Sequence, residues 1–330
     1  MRVIHKKLSA LSSADVIEIA SFQETEFCTI FHEVDFNRVA SDVFRTEFAY
    51  KLVYNSDGKL IAMCPLHSIK DGSLRKSYSN PAIYDIRYGG WIYNRNEVSL
   101  QELIDHLQPS WRESLTYWSV PQIGEDDYSC IEQKREFQTG IIDLSVSLED
   151  ILQKCIAKKR RETIRSASRK GVVVDKLDQS NLDVFIEQCD FLKISVGLRP
   201  LPRSFFVKLA RCYYAKKQMS AFVSKLGNDY LASGVIVGNK FMTHLWIAGK
   251  PENIPANVPR QDLLVWETIK WAKEQGSEYF DLCVVEQERL PNVARFKLGF
   301  SKNIVPFYCI RKSDLGYRMV AKTRKIFGSQ

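Results

Sequence analysis

The sequence contains no apolar run that approaches the roughly 20 residues needed to cross a bilayer. The stretch from Met1 to Lys7 is not followed by the apolar core of a secretory signal. The sequence also lacks Cys-x-x-Cys pairs and histidines at zinc-ligand spacing, since its 8 cysteines are scattered singly. These absences predict a cytoplasmic protein with no disulfide framework and no metal site.

The composition is that of an ordinary soluble protein, with 45% apolar and 26% charged residues. The length of 330 residues predicts two domains. The formal charge of +8 favours anionic partners such as nucleic acid, phosphorylated substrates or an anionic membrane face. No helix-turn-helix, zinc motif or aromatic RNA motif is found, so neither a plain nucleic-acid-binding module nor a DNA partner is predicted.

The first half mixes predicted helices and strands. Asn55-Ser56-Asp57-Gly58 lies between two β-rich runs, which predicts a hairpin. A strand expected at 141–146 would close this half, and the hydroxyl of Ser147 is suited to cap a following helix. We therefore expect an N-terminal domain of residues 1–146 and a C-terminal domain of residues 147–330.

The second half shows a clearer order of elements. A helix is expected from Leu148 to about Ser168, and an antiparallel meander of strands from Met219 to Ala248. A helix from Gln261 to Gln275 then leads into a strand at Glu278 to Leu282. Strand, helix and strand form a right-handed crossover unit, so the helix start and the strand ends should line one edge of the sheet.

The stretch from Gly276 to Ile310 has the strongest functional pattern. A predicted strand ends in Asp281, and Arg295-Phe296-Lys297 and a Gly299-Phe300 corner follow. This order is typical of an α/β fold that builds a cleft around an anionic ligand. It predicts an enzyme with a site in this segment.

These residues, together with Lys159 to Val174 and Leu263 to Ala272, resemble the FemAB-type branch of the acyl-CoA acyltransferase-like superfamily. The resemblance implies a mixed α/β fold with two tandem GNAT-like acyltransferase domains. It also implies amide-bond formation, because the better-known members transfer an amino acid from aminoacyl-tRNA to the peptide of a cell-wall precursor. Relatives that use acyl-CoA, or that belong to polysaccharide-assembly pathways, leave the donor open.

Two features depart from the family pattern. The Gly-rich pyrophosphate loop before the main helix of a GNAT unit is replaced by a segment with prolines, Ile254 to Arg260. Proline has no N–H to donate to a phosphate, which argues against CoA binding at this turn. The long antiparallel helical arm of some tRNA-using members is also not expected here.

Lys297 and Asp281 are the candidate catalytic residues. We expect Lys297 in a loop beyond a strand end, where its ammonium would neutralise a phosphate or stabilise the oxyanion of a tetrahedral intermediate. Loss of one such donor typically costs roughly 3 kcal/mol. Asp281 would act as a general base or orient the amine, with a turn-capping role as the equal alternative. Phe296 would fix the direction of Lys297, and Arg295 joins it as a substrate-binding candidate.

Five further residues are candidates for substrate binding. His244 and Trp246 share one face of a predicted strand, because alternate side chains point the same way. They would form a ligand platform, with core packing as the alternative. Tyr88, Gly89 and Gly90 would let the backbone approach a substrate closely, with an ordinary turn as the alternative.

The segment from Lys154 to Lys170 is strongly basic, with Glu162 as its one acidic residue. On a single helix its cations would form a stripe at three- and four-residue spacing. The polyanion-binding candidates are Lys158, Arg161, Arg165 and Arg169. Such a stripe suits tRNA phosphates or a diphosphate-linked precursor, with a solvated helix face as the alternative.

The segment from Lys312 to Lys325 is basic as well, with Leu315, Met319 and Val320 as apolar residues. It would either lie against an anionic membrane or form a C-terminal helix packed on the second unit.

The predicted activity is the transfer of an acyl or aminoacyl group to an amine of a small molecule or a cell-wall or cell-surface glycan precursor. The donor is acyl-CoA or aminoacyl-tRNA, and no tightly bound cofactor is expected. The predicted partners are therefore tRNA and the acceptor, with a peripheral contact to an anionic membrane; the oligomeric state is left open. The alternatives are an acyl-CoA-dependent GNAT N-acyltransferase on a small molecule or sugar amine, and a non-catalytic accessory protein of polysaccharide assembly.

Overall fold

The computed structural model describes residues 1–80, 88–121, 123, 128, 134–253, 255 and 258–327, with side chains up to residue 324. Three residues of the proline-containing segment predicted to replace the pyrophosphate loop, Ile254, Ala256 and Asn257, lie outside the described residues. In the described part of the chain, no helix combines the length and the apolar character needed to cross a membrane.

The helices and strands are labelled in chain order. The strands are β1 (Arg2–Lys7), β2 (Glu47–Tyr54), β3 (Leu60–Asp71), β4 (Leu74–Tyr78), β5 (Ile92–Tyr93), β6 (Glu113–Trp118), β7 (Lys134–Asp143), β8 (Val173–Leu177), β9 (Met219–Leu226), β10 (Asp229–Gly238), β11 (Met242–Gly249), β12 (Tyr279–Val285) and β13 (Asn303–Ser313). The helices are α1 (Ser13–Thr25), α2 (Val34–Phe44), α3 (Leu100–Asp105), α4 (Leu148–Asp150), α5 (Lys158–Arg169), α6 (Leu182–Ser195), α7 (Arg203–Tyr213), α8 (Gln261–Glu274), α9 (Pro291–Leu298) and α10 (Leu315–Phe327). Short helical turns span Leu8–Ala10, Ile30–His32 and Ile151–Cys155.

The chain forms two compact units and passes between them twice. The first unit contains Met1–Phe137 and Pro306–Gln330, and the second contains Gln138–Val305. These bounds differ from residues 1–146 and 147–330, the ranges expected from the sequence. The passages fall inside β7 and β13, so each strand continues through the change of unit. Because no loop or linker marks either passage, composition gives no signal for them.

The sheet of the first unit has the order β1-β2-β3-β4-β6-β13, and β5 pairs with β3. The neighbours are antiparallel except for β4 and β6, which run parallel. The predicted hairpin is β2 and β3, and Gly58 takes the left-handed conformation that its turn requires, with φ of 78°. Buried apolar residues of α3 and the strands, such as Leu103 and Tyr117, form the core.

The C-terminal helix α10 lies against β4 and β6 of the first unit. The prediction that it packs on the second unit is therefore wrong. Asp314 places it, because this carboxylate accepts hydrogen bonds from the backbone N–H of Tyr317 at 2.8 Å and of Glu113 at 3.1 Å. The helix start is thus tied to β6.

The sheet of the second unit has the order β7-β12-β11-β10-β9-β8. The predicted meander is β9, β10 and β11, all antiparallel, and the predicted crossover is confirmed because α8 connects β11 to a parallel β12. Helices α5 and α8 pack on one face of this sheet around Leu264, Ile269 and Phe280. Side chains that alternate with Phe280 and Leu282 therefore point to the opposite face.

The helix predicted from Leu148 to Ser168 is broken. Ile156 is fully buried in extended conformation, and Ala157 follows it with a backbone N–H donated to the carbonyl of Gly299 at 2.9 Å. Burial of Ile156 and this backbone bond outweigh the local helix preference. Lys154 consequently lies outside α5 and does not extend its basic stripe.

Candidate functional site

The parallel strands β11 and β12 part at His244 and Asp281. Their pairing runs from Met242 opposite Tyr279 to His244 opposite Asp281, where it ends. Both strands nevertheless continue, β11 to Gly249 and β12 to Val285. The sheet therefore opens between the carboxyl-terminal halves of two parallel strands, which is where α/β sheets bind ligands.

His244 and Asp281 form a fully buried pair at this opening. The Nδ1 atom of His244 lies 2.7 Å from Oδ2 of Asp281, and both side chains are 0% exposed. Since Leu245, Phe280 and Leu282 pack against the α5 and α8 cluster, both members of the pair lie on the opposite face of the sheet. The alternation predicted for His244 and Trp246 is interrupted, because the register of β11 against β10 shifts between Leu245 and Ile247 and leaves Trp246 without a partner in the pairing.

The carboxylate of Asp281 is held by three donors. Besides His244, the hydroxyl of buried Thr139 on β7 and the backbone N–H of Cys283, at 2.9 Å, donate to Oδ1. Burial alone would raise the pKa of Asp281, but the bonds from His244, Thr139 and Cys283 outweigh it and lower the pKa below its usual range. The residue is therefore an ionised carboxylate, and His244 Nδ1 must carry the donated proton.

Strand β12 contains a bulge directly after Asp281. Its register against β7 shifts between Asp281 and Val284, and Cys283 takes a left-handed φ of 57°. The carbonyl of Val284 accepts a hydrogen bond of 2.9 Å from the ammonium of Lys297. A bulge re-aims backbone and side-chain groups and is frequent beside active sites. Here it brings a lysine to the opening.

Two local expectations are wrong at this point. Asp281 lies inside β12 rather than at its end, because the bulge lets the strand continue to Val285. Lys297 lies on α9 rather than in a loop, since Pro291 begins a helix that places Lys297 in its last turn. The ammonium still reaches the opening, because the Val284 carbonyl fixes its position.

His244, Asp281 and Cys283 offer polar atoms that all lie within 4.8 Å of one another. These residue types can ligate a metal ion. The two oxygens of Asp281, however, already accept bonds from His244, Thr139 and Cys283. Burial also raises the pKa of the Cys283 thiol, which disfavours a thiolate. The arrangement is therefore better suited to orienting an imidazole than to holding a cation.

Trp246 and Phe296 are packed into the second unit. The ring of Trp246 lies 5.8 Å from Phe205 and 6.3 Å from Phe206, both on α7, and is 9% exposed. The ring of Phe296 lies 5.2 Å from that of Phe300. Packing accounts for both positions, whereas Arg295 is exposed on α9. A role for these residues in substrate binding stays a prediction.

Tyr88, Gly89 and Gly90 belong to the first unit. Tyr88 is 2% exposed, and its ring lies 5.1 Å from that of Phe307. A Cβ at Gly89 would overlap the carbonyl of Ser79, and one at Gly90 would lie 2.8 Å from the hydroxyl of Tyr117. Close packing against backbone and side chain therefore requires both glycines, and their predicted part in substrate binding stays a prediction.

The amino-terminal turn of α8 is occupied by an ion pair. Asp262 lies in this turn and is 6% exposed, and its carboxylate is 3.0 Å from the guanidinium of Arg160 on α5. The same guanidinium stacks on Phe296 at 4.7 Å. Burial raises the pKa of Asp262, although the bond from Arg160 opposes this shift. The turn that binds a phosphate in many α/β folds thus already carries a carboxylate.

The predicted basic stripe lies on α5, with one member turned inward. Lys158, Arg165 and Arg169 are exposed. Arg161 is half-buried and donates to the carbonyls of Gln153 at 2.9 Å and Ile156 at 2.7 Å. Since Ile164 and Ala167 face the core shared with α8, the stripe lies on the face of the second unit that carries α8. The opposite face carries His244 and Asp281.

The structure brings together His244, Asp281 and Lys297 among the residues singled out from the sequence. It adds Thr139 and Cys283 at the pair, and Arg160 and Asp262 at the start of α8. Thr139 precedes Asp281 by 142 positions, and only the pairing of β7 with β12 joins them. No local sequence signal marks Thr139, Cys283 or Asp262, and Arg160 is not distinguished from its neighbours in the basic segment.

The fold matches that of several solved structures at low sequence identity. FemX superposes with a TM-score of 0.71 at 12% identity, covering 98% of this chain and 99% of that chain. A conserved protein of unknown function from Bacteroides thetaiotaomicron gives 0.54 at 11% identity, covering 91% and 97%. L-PGS from Bacillus licheniformis gives 0.52 at 13% identity, covering 93% and 96%.

No protein-family model matches the chain, and no curated protein matches its sequence. The structural matches nevertheless extend over nearly the whole length of both chains, which confirms the fold class expected from the sequence. The chain therefore has a mixed α/β fold like that of FemX.

Proposed function

We propose that the chain transfers an acyl or aminoacyl group to an amine acceptor, with the reaction at the opening between β11 and β12. The observation that carries the proposal is the buried His244–Asp281 pair, with its 2.7 Å hydrogen bond, at the point where the two parallel strands part. A buried imidazole held by an ionised carboxylate is an arrangement for proton transfer. The FemAB-like fold agrees with this reaction class.

His244 would serve as the general base. With its Nδ1 proton donated to Asp281, Nε2 is the basic nitrogen of this tautomer. The acceptor amine attacks the carbonyl carbon of the donor, and Nε2 takes a proton from the amine nitrogen. This attack forms the C–N bond of a tetrahedral intermediate, whose ester or thioester bond then breaks as the imidazolium returns the proton to the departing oxygen or sulfur. Asp281 stabilises the imidazolium between these steps.

Lys297 would supply positive charge for the transition state. Its ammonium is fixed by the Val284 carbonyl at 2.9 Å, beside the bulge that follows Asp281. A fixed cation stabilises the developing oxyanion, or a phosphate of the donor, without reorganisation during the reaction. The raised pKa of Cys283 makes a cysteine nucleophile a poor alternative, since the thiol stays protonated.

The proposal also specifies the donor substrate, and we favour aminoacyl-tRNA over acyl-CoA. At the start of α8, the Arg160–Asp262 ion pair occupies the turn where a pyrophosphate would bind, and the Asp262 carboxylate already takes the place of an anion at the positive end of the helix dipole. The exposed cations of α5, Lys158, Arg165 and Arg169, suit a polyanion instead. Because aminoacyl-tRNA is made in the cytoplasm, a cytoplasmic location is part of this proposal.

The proposed acceptor is an amine of a small molecule or of a glycan precursor. The test varies the donor and uses a simple amine, such as hydroxylamine, as the acceptor in every assay.

The deciding experiment measures transfer from bulk aminoacyl-tRNA and from acetyl-CoA to hydroxylamine, with the chain and with His244→Gln. We expect transfer from aminoacyl-tRNA that His244→Gln lowers by about 10²-fold or more. Transfer from acetyl-CoA alone would establish the acyl-CoA-dependent alternative. Binding of either donor without any transfer would favour the non-catalytic accessory protein and overturn the proposal.

A second measurement tests the donor surface. The variant Lys158→Gln/Arg165→Gln/Arg169→Gln should weaken tRNA binding and reduce the slope of log K against log salt by about 2, because three phosphate contacts are lost. The matched control is Lys176→Gln/Lys208→Gln/Lys240→Gln, which removes three cations of the same unit outside α5. Equal slopes for the two variants would show that α5 does not contact tRNA.

A further inference from the structure

Three large apolar side chains of the first unit are exposed around the start of α10. Trp111 is 66% exposed, Leu315 is 61% exposed and Met319 is 52% exposed. Trp111 precedes β6, whereas the other two lie on α10, one helical turn apart. Trp is among the side chains that a soluble protein least often leaves open to water, so this grouping calls for a ligand or a surface.

Trp111 lies directly over the first turn of α10. A Cβ built at Gly316 would approach the ring of Trp111 to 2.8 Å, so only glycine lets the indole rest on the helix backbone. Leu315 is the neighbour of Gly316, and Met319 follows one turn later. The three apolar side chains are thus adjacent, and they form one patch together with the helix face described next.

Two cations share the exposed face of α10. Leu315, Arg318, Met319 and Lys322 are spaced by three, four and seven residues, which puts all four on one side of a helix. Arg318 and Lys322 are both exposed. The helix sequence from 315 to 327 contains no acidic residue. We call Trp111, Leu315, Arg318, Met319 and Lys322 the α10 face.

The opposite side of α10 holds the helix in place. Arg324 pairs with Asp71 at the end of β3, at 3.2 Å. Asp314 is used by the backbone N–H groups of Tyr317 and Glu113. Asp71 and Asp314 therefore anchor the helix, and the α10 face is a preformed surface that carries two cations and no acidic residue of its own.

We propose that the α10 face docks on an anionic phospholipid surface, with Trp111, Leu315 and Met319 in the headgroup region and Arg318 and Lys322 on lipid phosphates. An amphipathic helix with apolar residues flanked by cations binds such a surface by burial of apolar area and by electrostatic attraction. Each cation near an anionic membrane contributes about a fivefold gain in binding. Charge complementarity favours this occupant, and the exposed indole suits the interface between headgroups and acyl chains.

The test is co-sedimentation of the full chain with vesicles made of equal parts phosphatidylglycerol and phosphatidylcholine, and with vesicles of phosphatidylcholine alone. We expect binding to the anionic vesicles that falls with added salt and is weak on the neutral ones. Arg318→Gln/Lys322→Gln should weaken binding about 30-fold, since two cations are lost. Leu315→Ser/Met319→Ser and Trp111→Ser should each weaken it on both vesicle types.

Matched controls remove equally exposed residues elsewhere on the first unit. Lys7→Gln/Lys70→Gln removes two exposed cations, and Ile17→Ser removes an apolar side chain that is 69% exposed. Both should bind vesicles as the unchanged chain does. All the substituted side chains are exposed, so circular dichroism should show folded variants.

Failure of the chain to bind anionic vesicles would overturn the proposal, as would equal losses in the control variants. Loss of tRNA binding, with vesicle binding unchanged, in Arg318→Gln/Lys322→Gln would assign the face to RNA instead. Transfer to a soluble amine should be the same in every one of these variants. The outcome is therefore separate from that of the proposed transferase activity.

Discussion

Thr139 donates a hydrogen bond to the carboxylate of Asp281 across 142 positions of sequence. Both residues are 0% exposed. In the pairing of β7 with β12, Asp281 lies opposite Ile141 and Thr139 lies opposite Val284, so the Thr139 hydroxyl reaches the carboxylate across the bulge of β12. The Thr139 hydroxyl donates to Oδ1 of Asp281, while Oδ2 accepts the hydrogen bond from His244. Thr139 therefore fixes the orientation in which Asp281 meets the imidazole, and it acts on the reaction through Asp281.

Thr139→Val tests this positioning role. The substitution keeps the shape of the side chain and removes the donor, so the pKa of Asp281 should rise toward its usual range. A hydrogen bond to a charged group contributes about 2 kcal/mol, so we expect a loss of up to roughly 30-fold in kcat. Thr139→Ser retains the hydroxyl and should retain most of the activity. The measurement is the pH profile of kcat for both variants.

The pH profile of kcat for Thr139→Val should differ from that of the unchanged chain on the acidic side. A higher pKa of Asp281 means that the carboxylate protonates at a higher pH, so the acidic limb of Thr139→Val should move upward in pH. A variant that is merely less stable would show a lower melting temperature with an unchanged limb. An unchanged kcat and an unchanged limb would remove Thr139 from the site.

Lys297→Ala tests the fixed cation. Loss of one preorganised donor should lower kcat/KM by about 10²-fold, corresponding to roughly 3 kcal/mol of transition-state stabilisation. Lys302→Ala is the matched control, because Lys302 is an exposed lysine in the same part of the second unit. Steady-state kinetics of both variants, with the same donor and amine, gives the comparison.

The bond from Lys297 to the Val284 carbonyl also has a structural effect, and the melting temperature measures it separately. Lys297→Arg keeps the charge but changes the reach of the side chain. A clearly higher kcat/KM in Lys297→Arg than in Lys297→Ala would support electrostatic stabilisation. Full turnover in Lys297→Ala would contradict a role for this residue in the reaction.

The sequence predicted the parts of the second unit that depend on local patterns. The β9, β10 and β11 meander, the α8 crossover and β12 follow from alternation, turn residues and helix period. His244, Asp281 and Lys297 were found because residue type and order point to them. Local pattern was sufficient where neighbouring residues decide the structure.

The remaining features depend on contacts between distant residues. The bulge at Cys283 follows from the register between β7 and β12, and the break before α5 follows from the burial of Ile156 and the bond from Ala157 to Gly299. The fit of α10 on the first unit depends on Asp314. Contacts between distant residues have no local sequence pattern, because neither partner differs from its neighbours in residue type or spacing.

The buried His67 of the first unit makes stability depend on pH. Its Nδ1 lies 2.8 Å from the Thr46 hydroxyl, and its Nε2 lies 2.8 Å from Oδ1 of Asn37. The amide nitrogen of Asn37 donates to the carbonyls of Phe31 and Glu33, so its oxygen is an acceptor and His67 Nε2 carries the proton. Burial lowers the pKa of His67 to about 3.

The unfolded chain binds a proton at His67 below pH 6.5, whereas the folded chain does not until about pH 3. The free energy of unfolding therefore falls as pH falls through this window, by about 2 kcal/mol between pH 7 and pH 5. Urea unfolding at several pH values should show a smaller fall in His67→Gln. His106→Gln is the control, since His106 is only half-buried. Identical pH slopes in His67→Gln and the unchanged chain would contradict the prediction.

Alanine substitutions at Gly58 and Gly90 distinguish two contributions to the loss of unfolding free energy: a strained backbone conformation and steric overlap. Both have left-handed φ, 86° and 78°, but a Cβ at Gly90 would overlap the carbonyl of Trp118, whereas one at Gly58 would meet nothing within 4 Å. Gly58→Ala should therefore cost about 1 kcal/mol in unfolding free energy, and Gly90→Ala about 1 to 3 kcal/mol more. Denaturant unfolding of the two variants measures the difference. Equal losses of unfolding free energy in the two variants would mean that the backbone around Gly90 can shift to accommodate a Cβ. Packing would then not require glycine at this position, and the substrate contact predicted from the sequence would remain the explanation for it.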